Sequence, residues 1–217
     1  MVGRAFVGRC GCAIAAAMLT LTCVGCTEEM MWGAAGSEGP AHDRRGYQRE
    51  FWSTTCVVYV IDRSASMEGT FGRVREEVLS AIEDLGPRQP FDVILCADGE
   101  PLERSAGGLT PASAHTRQVT AEFLNSVEAG GRTYAVPAIR RAFEVLRKAP
   151  PRQPKLIFII GDGFVDNHRL LDAIEELWAF DVYINTFVVG DDAEAHKVMQ
   201  RIAENSGGVY RHMTEWE

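Results

Sequence analysis

The chain has 217 residues, of which 46% are hydrophobic and 24% charged, with a formal net charge of −8. That mixture describes an ordinary globular chain with enough apolar mass for a good core. The acidic balance, with no dense Lys/Arg cluster, argues against nucleic acid as a partner.

The N-terminus reads as a targeting segment. Arg4 and Arg9 supply a positive start, and residues 13–25 form an uncharged, largely apolar stretch. Thirteen residues are too few to span a bilayer, so residues 1–25 are expected to be a signal peptide. Cys23-Val24-Gly25-Cys26 resembles a bacterial lipobox, with Cys23 standing where Leu is usual. The resemblance implies that Cys26 is lipidated and that the exported chain is anchored in the cell envelope; a secreted or periplasmic protein is the alternative. Without residues 1–26 the formal charge becomes −10, because Arg4 and Arg9 are the only charges there. Residues 26–53 read as a flexible tether, since Gly33-Ala-Ala-Gly36-Ser-Glu-Gly39-Pro40 is small, polar and aperiodic. Trp32 and Trp52 do not suit a pure linker and are expected to pack on the domain or the headgroup region. The folded domain is expected over residues 54–217.

Cys56-Val-Val-Tyr-Val-Ile-Asp62-Arg-Ser64-Ala-Ser66-Met67 is the most informative stretch. An uninterrupted apolar run rich in Val and Ile suits a central parallel strand buried on both faces. Asp62, Ser64 and Ser66 follow at i, i+2 and i+4, past the carboxyl end of that strand, where open α/β sheets bind ligands. A carboxylate and two hydroxyls are hard oxygen donors, suited to Mg²⁺, Ca²⁺ or Mn²⁺. Ser and Asp are also turn formers and helix caps, so the motif alone reads equally well as a polar turn.

Further along, a helix is expected over about 72–85, with Val74, Val78, Ile82 and Leu85 on one face and Gly86-Pro87 stopping it. Phe91–Cys96 reads as the second strand. The next helix covers about 113–127, with Val119, Phe123 and Val127 aligned. Gly130-Gly131-Arg132-Thr133 is a turn that presents a hydroxyl before a helix over 134–148, which turns Val136, Ile139, Phe143 and Leu146 inward. A second strand-then-acid unit follows at Leu156-Ile-Phe-Ile-Ile160-Gly161-Asp162-Gly163. Then come a helix over about 168–179, a strand over 182–189, a helix over 193–204 opened by Asp191 and Asp192, and a last strand over 208–212. Repeated β-α units predict a doubly wound, mostly parallel sheet with helices on both faces. Cys10, Cys12 and Cys23 fall in the signal; Cys56 and Cys96 are expected as buried free thiols. The five histidines are scattered without ligand spacing and read as surface or packing residues.

Asp62, Ser64, Ser66, Thr133 and Asp162 come from three loops at one sheet edge, and their order resembles the metal-ion-dependent adhesion site of von Willebrand factor A-type (vWA) domains. Gly131-Arg132-Thr133 looks like the second loop of integrin-type members. The resemblance covers about residues 54–213 and implies a short antiparallel edge strand near 101–105. It implies that Ser64, Ser66 and Thr133 touch the cation directly while Asp62 and Asp162 hold it mainly through waters. A shell of neutral hydroxyls leaves the cation poorly neutralised, and in this family an acidic residue of a protein partner completes it. The implied function is a non-enzymatic, cation-dependent binding module of the cell envelope, with Mg²⁺ (or Mn²⁺/Ca²⁺) as cofactor.

Two other readings compete. The fold can serve as a scaffold that binds partners without metal. Gly161-Asp162-Gly-Phe-Val-Asp166-Asn167 also resembles the acidic motif of haloacid-dehalogenase-type phosphatases, with Asp62 as nucleophile. Those enzymes place a second Asp two residues later as general acid; Ser64 stands there, and serine has no useful pKa for that role. Asp166 and Asn167 read as loop and helix-cap residues.

Overall fold

The two apolar runs that end in acids become the two central strands of the sheet. β1 (Cys56–Asp62) and β5 (Lys155–Gly161) lie side by side in parallel, Val58 opposite Ile157, and every residue of both is buried. The structure is a computed structural model, and it describes residues 54–96, 98–132, 134–163, 167–178 and 181–213. The expected signal, the tether with Trp32 and Trp52, Cys26, Thr133, Asp166 and the last four residues lie outside these.

β2 (Pro90–Cys96) pairs with the other side of β1, again in parallel. β6 (Val182–Val189) joins β5, and β7 (Tyr210–Met213) joins β6, both parallel. β3 (Leu102–Glu103) and β4 (Thr110–Pro111) add to β2 in antiparallel fashion. The spatial order is β3-β2-β1-β5-β6-β7, with β4 beside β2. This is the expected doubly wound, mostly parallel sheet.

Helices cover both faces. α1 (Phe71–Glu83) and α2 (Ala114–Ser126) pack over Tyr59, Ile61, Phe158 and Ile160. α3 (Ala135–Arg147), α4 (Asn167–Leu177) and α5 (Ala193–Ser206) pack over Val58, Val60, Ile157 and Ile159. The alternation of side chains along each strand divides the core this way. Tyr59 and Phe158 stack in the register, ring centroids 5.1 Å apart.

The inward stripe of α1 is as expected for Val74, Val78 and Ile82, all buried; the helix ends at Glu83, and Leu85 is buried just beyond it. In α3 Ile139, Phe143 and Leu146 are buried, while Val136 is only half-buried. The face assigned to α2 is corrected in part. Phe123 and Val127 pack half-buried on the core, but the fully buried residues are Thr120 and Leu124, and Val119 is 38% exposed. A threonine can occupy the buried stripe because its hydroxyl donates back to Thr116 O at 2.7 Å, so no polar group is stranded.

The edge beside β2 is more elaborate than one short strand. Arg104 is nearly buried, and its Nη2 donates to Asp92 Oδ1 (3.0 Å), Phe91 O (3.2 Å) and Thr110 Oγ1 (2.8 Å). This buried ion pair ties β2 to β4. Glu103 in turn holds Arg141 of α3 through both carboxylate oxygens, at 2.7 and 2.9 Å. Cys56 and Cys96 are free and buried, as expected. Among the described residues no helix is long and apolar enough to cross a membrane.

Candidate metal centre

β2 and β5 leave β1 in opposite directions across the sheet, so the switch in strand order falls at β1 and β5. A crevice opens at such a point above the carboxyl ends of the strands. Asp62 is the last residue of β1, and Asp162 follows the last residue of β5. The topology therefore brings together two acids a hundred positions apart.

Asp62 is fully buried. Its Oδ1 accepts from Ser64 N at 2.8 Å, which folds the backbone back and opens a single 3₁₀ turn over Ala65–Met67. That turn carries the hydroxyls of Ser64 (buried) and Ser66 (exposed) to 2.9 Å from each other. Among the described residues Asp62 Oδ2 is buried with no hydrogen-bond partner. Burial pushes the Asp62 carboxyl up to about 7; hydrogen bonds from Ser64 pull it back, and the neighbouring Asp162 carboxyl pushes it up further. A buried carboxylate with an unused acceptor oxygen, next to a second acid, is costly without a cation.

The glycine turn reaches the same place. Gly130 N donates to Arg63 O at 2.7 Å, and Ala65 N donates to Gly131 O at 3.1 Å. The turn is thus laced to the backbone on both sides of Ser64, at Arg63 and at Ala65. Thr133 itself lies outside the described residues, directly after Arg132. Asp162 is half-buried at the crevice. Gly163 after it has φ +130°, and a Cβ there would lie 2.9 Å from Ala195 Cβ, so the start of α5 packs hard on this loop.

Four of the five expected site residues are described; backbone bonds lace the Ser64–Ser66 turn to the glycine turn, and Asp162 stands beside Asp62. The donors are hard oxygens, the orphaned oxygen belongs to the first acid of the motif, and a small divalent cation suits that set. Among the described residues no three His, Cys, Asp or Glu side chains form a metal cluster; the arrangement here is two acids with hydroxyls.

The sequence missed one grouping. His196 of α5 and His212 of β7 meet with ring centroids 4.2 Å apart. Both aim Nε2 at the Gly190 carbonyl, at 2.9 and 2.8 Å, and Tyr210 Oη bonds His196 Nδ1. They stitch the loop after β6 to β7. Their spacing in sequence carries no signal, because a helix and a turn intervene. Asp192 caps α5 as expected, accepting from Glu194 N and Ala195 N.

An open doubly wound α/β sheet whose switch-point crevice is lined by acids and hydroxyls defines a Rossmann-like binding domain. The sequence profile of the von Willebrand factor type A domain matches residues 55–212, and the chain belongs to that family, whose members typically act as protein-interaction or adhesion modules. Inter-alpha-trypsin inhibitor heavy chain H1 of Sus scrofa is 26% identical over 167 residues, 71% of this chain and 18% of its own length. The chain thus spans under a fifth of that relative. Among solved structures, the von Willebrand factor type A protein from Catenulispora acidiphila superposes with a TM-score of 0.65 at 21% identity, covering 75% of this chain and 39% of that one. The pilus adhesin SpaC from Lactobacillus rhamnosus GG does so with a TM-score of 0.61 at 15% identity, covering 73% and 28%. These likenesses show the fold.

Proposed function

We propose that this vWA domain is a non-enzymatic, divalent-cation-dependent protein-binding module of the bacterial cell envelope. The observation that carries the reading is the orphaned Oδ2 of buried Asp62, beside the paired Ser64 and Ser66 hydroxyls at the switch point. Asp62 orders the turn through Ser64 N and keeps one oxygen free to face the cation or its waters. Ser64, Ser66 and Thr133 supply neutral oxygens, and Asp162 supplies the second negative charge. Mg²⁺, which keeps exchangeable waters in a near-octahedral shell, would offer an open position to a carboxylate oxygen. The partner is accordingly a protein that presents an exposed Asp or Glu. Cys26 carries the lipid that holds the exported domain at the membrane, with residues 26–53 as spacer.

Thermal unfolding with Mg²⁺ or Mn²⁺ against EDTA tests the metal. Binding to the native state alone stabilises by RT ln(1 + [L]/Kd), about 2.7 kcal/mol at a hundredfold excess over Kd. The expected result is a shift in the wild type that Ser64→Ala and Thr133→Ala lose. No shift and no heat of binding in the wild type would leave the domain a metal-independent scaffold. Capture from an envelope extract with Mg²⁺ against EDTA then tests the partner.

A further inference from the structure

Residues 127–132, between α2 and α3, form no helix or strand of their own, yet their backbone is held against the Ser64–Ser66 turn. One peptide unit decides this, the bond joining Gly131 to Arg132. Its carbonyl oxygen accepts from Ala65 N at 3.1 Å, between the two serines. Its N–H donates to Asp98 Oδ1 at 2.9 Å. A trans peptide is planar, with oxygen and hydrogen on opposite sides. Holding both ends therefore fixes the rotation of the whole plane, and Thr133 is the next residue along the chain.

Gly131 is built for that arrangement. It has φ +80°, and a Cβ there would lie 2.5 Å from Asp98 Oδ2. The carboxylate thus lies flat against the bare backbone of Gly131 with one oxygen on the following N–H. An ionised acceptor makes a stronger bond than a neutral one, and it polarises the peptide so that its carbonyl accepts more strongly from Ala65. Asp98 belongs to the loop after β2, a fourth loop outside the acid-and-hydroxyl motif, and it is exposed.

We propose that Asp98 is a positioning residue for the cation site: it clamps the Gly131–Arg132 peptide, and through that plane it sets the Ser64–Ser66 turn. This rests on the metal reading above. It assigns the glycine turn a carboxylate anchor that touches neither cation nor partner.

The test measures Mg²⁺ affinity by calorimetry, and Mn²⁺ affinity by spin-resonance titration, for wild type, Asp98→Ala, Asp98→Asn and Gly131→Ala. Asn keeps an acceptor oxygen without the charge. Asp98→Ala is expected to weaken binding about tenfold, as loss of an outer-shell partner does. Asp98→Asn should recover most of that loss, and Gly131→Ala should weaken binding at least as much as Asp98→Ala. Metal-free melting should hardly change in Asp98→Ala, because the side chain is exposed. Wild-type affinity in Asp98→Ala would overturn the clamp while leaving the metal site intact. Equal losses in Asp98→Ala and Asp98→Asn would also overturn it, since charge alone would then account for the effect. A wild type that binds neither ion would overturn the metal reading and the clamp together.

Discussion

Replacing Asp62 by Asn should make the metal-free protein more stable at alkaline pH while abolishing its response to cation. The carboxyl is fully buried and held at about 7, far above the 3.8 of a free aspartate. Its proton is therefore favoured in the native state over the unfolded one. Between those two values the native state binds more protons than the unfolded chain, so stability falls as pH rises and levels off above about 7. At 1.36 kcal/mol per pKa unit, the ionised form costs the apo protein about 4 kcal/mol at pH 8. Asn stays neutral at every pH and keeps an oxygen to accept from Ser64 N, but it must place an amide where Oδ2 now lacks a partner. An unpartnered buried amide costs about 1–3 kcal/mol, so the net gain at pH 8 should be about 1–3 kcal/mol. For a domain of this size that corresponds to roughly 3–10 °C in melting temperature. Near pH 4, where the wild-type carboxyl is protonated in the folded protein, the same amide cost should leave the Asn variant the less stable by about 1–3 kcal/mol. The assay is calorimetric unfolding in EDTA from pH 4 to 8, repeated with Mg²⁺. The difference between the two proteins isolates Asp62 from other titrating groups such as Asp92. Parallel pH profiles, or an Asn variant that is the less stable at pH 8, would refute the argument.

Because cation binding requires Asp62 ionised, the wild-type shift with Mg²⁺ should be large at pH 8 and shrink below pH 7, read by the same scans. Arg104→Met should destabilise by about 3–5 kcal/mol in denaturant unfolding, because it leaves the Asp92 carboxylate buried and unpaired. Gly208→Ala should cost about 1–3 kcal/mol or more, since a Cβ there would lie 2.0 Å from Ile184 O and only the backbone can give way. Mature full-length protein made in a bacterium should partition into the detergent phase, each acyl CH₂ adding roughly 0.8 kcal/mol of membrane affinity, and Cys26→Ser should move it to the aqueous phase or stall processing.

The strands and helices of the fold were legible in the residues because burial imposes a period. Fully apolar runs ending in Gly or Asp marked β1 and β5, and the stripe of Val74, Val78 and Ile82 marked α1. Asp62, Ser64, Ser66 and Asp162 of the candidate metal centre stood out for the same reason: acids and hydroxyls directly after buried strands have nowhere to go but the sheet's carboxyl edge. Shallow packing was not legible. The choice of Thr120 and Leu124 over Val119 depended on a backbone acceptor, Thr116 O, that forgives a polar side chain. Single contacts between distant segments left no trace in the sequence at all. Nothing in the spacing joins Asp98 to Arg132, His196 to His212, or Asp92 to Arg104. Gly208 looks like any turn glycine until the Ile184 carbonyl is seen against it. Local pattern records which face of an element meets the core, because that requirement repeats along the element. A single contact between two loops occurs once, and only the three-dimensional path of the backbone decides it.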